Sequence, residues 1–201
     1  MKKYEFTGET KEIKLLFRTA VLHRIRATVS FGFVKIGDLG GWIEKEENLS
    51  HEGKAWVCGN AKVWGNAEVW GDAKVCGNAE VWGDAKVCGN AKVWGNAEVW
   101  GDAKVWGNAE VWGDAKVFSA SHVLVIGAIG SRNGFTTFYR DKDNEITVKC
   151  GCFLGKIDRF LEKVTQTHGD SKYALVYRAA VEVAKLQIDL SGEAPKDADE
   201  E

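Results

Sequence analysis

The stretch Ala61-Lys62-Val63-Trp64-Gly65-Asn66-Ala67-Glu68-Val69-Trp70-Gly71-Asp72 holds two copies of one unit, Ala-x-Val-x-Gly-Asn/Asp. The Ala recurs every six residues from Ala55 to Ala115, and a Val follows each one two residues later, from Val57 to Val117. Eleven copies run without an insertion. A period this short excludes helical-hairpin repeats. Ala and Val alternate with other residues, which is the parity of a strand. Gly followed by Asn or Asp supplies a bend, because these residues tolerate positive φ. Each unit therefore reads as a short strand and a sharp corner. Identical corners close a circuit, and three units make a triangular coil of 18 residues. Successive coils then pair as parallel strands about 4.8 Å apart. The expected architecture is a mainly β, parallel β-helix, a quasi-one-dimensional solenoid.

Composition sets the outer bounds. The chain has 201 residues, 45% apolar and 28% charged, which excludes a disordered or collagen-like polymer. Its 27 Lys and Arg against 29 Asp and Glu leave a net charge of −2, so no global basic field points to nucleic acid or a membrane surface. No apolar run approaches the roughly 20 residues that span a bilayer. Met1-Lys2-Lys3-Tyr4-Glu5-Phe6 has no apolar signal region after its basic start. The expected location is cytoplasmic. Three of the five Cys (Cys58, Cys76 and Cys88) stand where the repeat otherwise has Trp. They read as apolar fillers rather than a disulfide framework.

Val63-Trp64-Gly65-Asn66-Ala67-Glu68 resembles the hexapeptide repeat of left-handed parallel β-helix proteins. The resemblance covers residues 55–124 and implies a triangular, left-handed coil with the aliphatic and small residues inward. Handedness comes from the resemblance alone, since parallel crossovers are usually right-handed. Gly37-Asp38-Leu39-Gly40-Gly41-Trp42-Ile43-Glu44 with Asn48-Leu49-Ser50 resembles the lead-in of small bacterial and phage-encoded hexapeptide-repeat proteins. Ile129-Gly130-Ser131-Arg132-Asn133-Gly134 and Lys149-Cys150-Gly151-Cys152-Phe153 resemble their exit segment. The family fold carries many roles, so it implies a shape before a chemistry.

With Ala and Val inside, the residue after each Val faces out. Three columns result: Cys58, Cys76, Trp94, Trp112; Trp64, Trp82, Trp100, Phe118; and Trp70, Cys88, Trp106, Leu124, with Ser121-His122-Val123-Leu124 continuing the register. One reading is a stiffening ladder of stacked rings. The other is a contact surface. Each Trp offers roughly 150–250 Å², so the columns together would exceed the apolar patch a monomer normally exposes. The expected cover is the chain's own C-terminal helices or a second protomer. Self-association is therefore expected, and the family resemblance favours a trimer. The intervening Lys and Glu, with vertical neighbours such as Lys62 over Glu80 and Lys74 over Lys92, read as a solvated face.

The flanks read as caps for raw strand edges. Residues 1–54 give strands that close the first coil, and 55–130 the repeat. Residues 131–190 give a β-hairpin (Thr136–Arg140 with Ile146–Cys150) and two helices, and 191–201 an acidic, disordered tail. Ile157, Phe160, Leu161 and Val164 form one helical stripe ended by Gly169; Tyr173, Val176, Tyr177, Ala180 and Ala184 form a second. Arg18, Arg24, Arg26 and Lys35 read as a solvated basic face rather than an anion site.

Two functions from different classes follow. The first is a non-catalytic binding or structural module that self-associates and captures a protein or a small molecule, including a nucleotide stacked on Trp. Its candidate residues are Trp64, Trp82, Trp100, Trp94, Trp112 and Trp106, with Arg132 and Arg140 beside them. The mixed-sign face argues against nucleic acid. No cofactor is implied under this reading. The second, implied by the family, is an acyltransferase using acetyl-CoA, with His122 as general base. No loop interrupts residues 55–124 to wall a pocket for it. Four scattered His and a lone Cys150-Gly151-Cys152 give no metal set.

Overall fold

Residues 2–192 are described by the computed structural model, and within them each repeat closes one side of a triangle. Three strands precede the repeat, β1 (Tyr4–Lys14), β2 (Thr19–Ala27) and β3 (Leu39–Ile43), followed by a 3₁₀ turn at Glu46–Asn48. The repeat itself supplies β4 (Trp56–Val57), β5 (Lys62–Val63), β6 (Glu68–Val69), β7 (Lys74–Val75), β8 (Glu80–Val81), β9 (Lys86–Val87), β10 (Lys92–Val93), β11 (Glu98–Val99), β12 (Lys104–Val105), β13 (Glu110–Val111) and β14 (Lys116–Val117). Lys62 pairs with Glu80 and Glu80 with Glu98, so one circuit is 18 residues and the coil makes about four turns. The three faces are β3-β5-β8-β11-β14, β4-β7-β10-β13 and β6-β9-β12. On the first face β2 and β1 add antiparallel, giving seven strands. The parallel solenoid expected from the period is the observed fold.

The repeat Ala and Val side chains fill the interior; all are buried to 1% exposure or less. Burying one Val fully stabilises by roughly 1.5–3 kcal/mol. An exposed ion pair such as Lys86–Glu68 contributes roughly 0–1 kcal/mol. The inner column therefore outweighs the charged exterior. At the corners, Gly95 shows both demands made on glycine. Its φ is +79°, and a Cβ there would lie 2.9 Å from the Gly113 amide nitrogen one coil on. The corner amides form ladders: Asn60 donates to Asn78 (3.3 Å), Asn78 to Asn96 (3.1 Å) and Asn96 to Asp114 (3.1 Å). Asp114 ends that ladder as an acceptor with nothing to donate.

Parallel pairing begins before Ala55. Ile43 pairs with Val63, and Leu49 bridges Val69. Buried Asn48 completes this irregular first coil. Its Nδ2 donates to the carbonyls of Gly65 (3.1 Å) and Ala67 (2.8 Å), and its Oδ1 accepts from the Lys45 amide (2.9 Å). The Tyr4 hydroxyl donates to the Leu49 carbonyl (2.8 Å), and buried Lys3 donates to the Ala55 carbonyl (2.8 Å). The basic residues are dispersed: Arg18 pairs with Glu44, Arg26 with Glu5, and Arg24 lies over Trp42.

The far end departs from the expected hairpin. Strands β15 (Val123–Ile129), β16 (Gly134–Arg140), β17 (Ile146–Cys150) and β18 (Phe153–Lys156) form a four-stranded antiparallel sheet, followed by helices α1 (Ile157–His168) and α2 (Lys172–Gln187). The expected hairpin is its β16–β17 pair. Both helices bury their faces against this sheet, with Phe160, Val164, Tyr177, Val181 and Ala184 meeting Phe138, Ile146 and Val148. They do not cover the Trp columns, because the four-stranded sheet supplies the apolar surface they need, with Leu124, Ile126 and Phe153 of its outer strands adding to the residues of its inner ones. Gly169 ends α1 with φ +55°, its amide donating to the Thr165 carbonyl (2.9 Å). On α2, Tyr177, Ala180 and Ala184 face inward as expected, but Val176 is exposed. The six-residue register also stops sooner than expected. After Phe118 the chain turns through a 3₁₀ segment, Ala120–His122, and Leu124 packs into the C-terminal cluster instead of the third column. Of the expected acidic tail, residues 193–201 lie outside the described residues.

Candidate functional site

The 18-residue register decides what each outer column becomes. In the first, Trp64 stacks on Trp82 with centroids 4.9 Å apart and planes 3° from parallel. Trp82 stacks on Trp100 at 5.0 Å and 4°, and Trp100 meets Phe118 at 4.9 Å. Spacing between strands is the spacing of stacked rings. Stacking buries most of what the sequence left outside: Trp64 is 3% exposed and Trp100 4%. The expected large exposed aromatic surface is therefore absent on this face, because each indole covers its neighbour.

Both ends of that ladder are closed. Above it, Glu44 occupies the slot that Trp fills in later coils. Its carboxylate accepts from the Gly65 amide (2.8 Å) and from Arg18. Burial would raise the Glu44 pKa, but these two partners hold it below the usual range. Ala20 and Leu22 of β2 and Trp42 of β3 pack on Trp64. Below it, Phe118 carries His122 edge-on at 4.2 Å and the Arg140 guanidinium at 4.6 Å. Neither residue is placed as expected. His122 is buried in the 3₁₀ turn rather than outward on a strand, and its Nδ1 accepts from the Phe118 amide (3.3 Å). Burial, reinforced by the Arg140 charge, lowers its pKa, so the imidazole is held neutral. Arg140 is 2% exposed, with Nη2 donating to the Gly192 carbonyl (2.6 Å).

The second column begins with a correction. Cys58 and Cys76 form a disulfide, with Cα atoms 4.6 Å apart. A register that stacks Trp on Trp also stacks Cys on Cys, within bonding reach. Below them Trp94 stacks on Trp112 at 5.4 Å, and the Lys149 ammonium lies 4.6 Å from the Trp112 ring. Lys149 also pairs with Glu110 (3.3 Å), which pairs with Lys92 (2.7 Å). Burial opposes ionisation of Glu110, but the two lysines hold its pKa below the usual range. Each ladder thus ends on a cation supplied by the C-terminal sheet. Nothing in the sequence pattern marked Lys149, because it comes from a segment with no repeat.

The third column differs. Cys88, a free thiol, separates Trp70 from Trp106 and breaks the stack. Trp106 is 68% exposed, the only indole so open among the described residues. The end of this face is also left uncapped. On the other faces the last coil's amides are met by side chains: Thr137 Oγ1 accepts from Glu110 (2.9 Å), the Tyr139 hydroxyl from Trp112 (3.3 Å) and His122 from Phe118. Among the described residues no side chain caps the amides of Lys104 or Trp106. Further up the same face, a shallow groove of about 820 Å³ is lined by Lys45, Glu46, Glu47, Ser50, Asn66, Glu68, Asp84 and Lys86. Its lining is charged on both signs, with a single Ala67 between.

Of the candidate binding residues, only Trp106 combines an exposed ring with an open face. Trp64, Trp82, Trp100, Trp94 and Trp112 belong to the ladders, Arg140 to their closure, and Arg132 sits exposed in the β15–β16 turn with no contact to a Trp. No group of three or more metal-ligating side chains gathers among the described residues. Among them, no helix is long and apolar enough to cross a membrane. No family model matches the chain, and no curated protein matches it.

Proposed function

We propose that this chain is a rigid, non-catalytic module that self-associates and captures a protein or small-molecule partner on its third face. The observation that supports this most is Trp106, open to solvent on the one face whose end is not capped. The two stacked faces provide stiffness, since their rings are already occupied by one another. The groove above Trp106 adds mixed charge, which suits a polar partner carrying one aromatic or apolar anchor. A left-handed hand for the coil, membership of the hexapeptide-repeat family and a phage-type origin belong to the same reading, and rest on the Val-x-Gly-Asn-Ala units and their flanks.

Native mass spectrometry of the purified chain tests the capture. The expected result is a bound species that disappears in Trp106→Ala and survives in Trp70→Ala. A species held equally by both variants would remove the third face from the argument. Saturable acetyl-CoA binding that His122→Ala abolishes would replace this reading with an acyltransferase.

A further inference from the structure

The unit Ala-Lys-Val-Trp-Gly-Asn occurs three times in the chain, at residues 61–66, 91–96 and 103–108. Two of the copies are covered by the next coil, and both by the same sequence. Residues 79–84 lie on the first and 109–114 on the second, each reading Ala-Glu-Val-Trp-Gly-Asp, and both pairings are parallel. The contacts repeat as well. Lys62 pairs with Glu80 (2.5 Å) and Lys92 with Glu110 (2.7 Å). Trp64 stacks on Trp82, and Trp94 on Trp112. Asn66 donates to Asp84 (3.2 Å) and Asn96 to Asp114 (3.1 Å). Beneath these side chains the Lys62 and Trp64 amides donate to the carbonyls of Ala79 (2.9 Å) and Val81 (3.1 Å). Those of Lys92 and Trp94 donate in the same way to Ala109 (2.8 Å) and Val111 (2.9 Å). The molecule thus shows twice which extended segment this unit accepts, and in which direction.

The third copy has no such cover. A continuing register would bring Ser121-His122-Val123-Leu124 onto it, but His122 turns in against Phe118 and Leu124 joins the C-terminal cluster. The groups left open are the ones the other two copies use. Among the described residues the Lys104 and Trp106 amides donate to no carbonyl. Lys104 is exposed, and its neighbour in register is Lys86, a like charge. Trp106 presents a ring that no other ring covers. Asn108 accepts from Asn90 (3.3 Å) and leaves its own amide nitrogen unspent. A Cβ at Gly107 would meet nothing within 4 Å, so the corner is open too. Free main-chain donors along a strand edge are a template for another extended chain.

We propose that residues 103–108 are a docking strand for an extended segment of another protein, added parallel to β12 and of the type Ala-Glu-Val-Trp-Gly-Asp. The segment sets a carboxylate on Lys104, an aliphatic side chain inward, an aromatic ring on Trp106 and an acceptor on Asn108. This rests on the proposed capture at the third face and names the class of partner. A second copy has no such segment to offer from its folded coil, since each of its own Glu-Val-Trp units is already paired within a face. Six residues that must be ordered on binding give a weak complex, with a dissociation constant of about 0.1–1 mM.

Titration of the full, isotope-labelled chain with the blocked peptide Ala-Glu-Val-Trp-Gly-Asp, to about 5 mM to bracket that range, tests it. The expected result is saturable binding that slows hydrogen exchange at the Lys104 and Trp106 amides and leaves Trp94 unchanged. Trp106→Ala should weaken binding about tenfold, and Lys in place of the peptide's Glu about threefold. Lys104→Glu, with unchanged far-UV circular dichroism, should reverse that preference and favour the Lys peptide. Methylation of the peptide's Val nitrogen should abolish binding, because a parallel ladder directs that N–H at the Lys104 carbonyl. No saturation, no protection of the two amides, or no reversal in Lys104→Glu overturns the peptide assignment. A bound species lost in Trp106→Ala would then still support capture at the third face, and its absence would overturn that reading as well. Protection of the two amides in the chain alone, lost on dilution, would make a second copy the occupant and also overturn the peptide assignment.

Discussion

At the residue scale the clearest case is the corner glycine, where two costs can be separated. Gly95 and Gly113 share a positive φ, +79° and +70°. A Cβ at Gly95 would meet the next coil at 2.9 Å, while one at Gly113 would meet nothing within 4 Å. Gly113→Ala should therefore cost only the left-handed backbone, about 1–2 kcal/mol. Gly95→Ala adds the clash and should cost at least about 1 kcal/mol more, read as the difference between their denaturation midpoints. Lys3 gives a pH-dependent counterpart. Burial lowers its pKa to about 8, with Asp72 opposing weakly. Above pH 8 the folded chain releases a proton that the unfolded chain keeps until about 10.5, so this group's contribution to stability rises with pH across that window. Comparing unfolding free energies of wild type and Lys3→Met should show the wild type gaining on the variant between pH 8 and 10. Parallel curves would mean that Lys3 is not desolvated by folding.

At the scale of elements, stability depends on how the raw ends of the coil are finished. β16 closes the last coil through side chains: Tyr139, fully buried, both accepts from the Trp112 amide and donates to the Trp112 carbonyl (2.9 Å). Burial raises its phenol pKa, which keeps that hydroxyl protonated and able to donate. Tyr139→Phe leaves a backbone pair unmet and should cost about 1–3 kcal/mol. Hydrogen exchange should show the loss at the Trp112 amide, with Trp94 unaffected. The repeat was legible because each position answers to the same two neighbours, one coil up and one coil down. Strand parity and Gly-Asn corners therefore fixed the three faces and the inner column. The caps were legible only as elements. Thr137, Tyr139 and Lys149 act on residues far along the chain, and no local period announces such partners. The candidate site was read too broadly for a related reason. Composition counts exposed Trp singly, whereas a shared register lets each ring bury the next, and Trp106, with Cys88 above it and no cap below it, stays outside.

Across the whole molecule, contacts in the solenoid run one circuit up or down, and the two ends meet it mainly at the first and last coils, with Phe33 reaching on to the Lys74 ammonium (4.0 Å). Stability should then be close to a sum over coils and caps. The third face stands apart from this sum, since β12 ends it without a cap and the C-terminal sheet serves the other two. Removing residues 79–96 deletes one complete circuit and joins Asn78 to Ala97. Trp64 would then lie on Trp100, Lys62 beside Glu98, and Lys74 beside Glu110 instead of Lys92. This shortened chain should fold with both caps intact, read as a cooperative melt and an unaltered Cys58–Cys76 bond. Removing only residues 79–84 should fail, because β16 would then meet the wrong side of the triangle. The distance between the two ends is thus a quantity that can be set in whole steps of one strand spacing, about 4.8 Å. Any two groups attached at opposite ends of such a coil would be held at a separation written in the number of circuits.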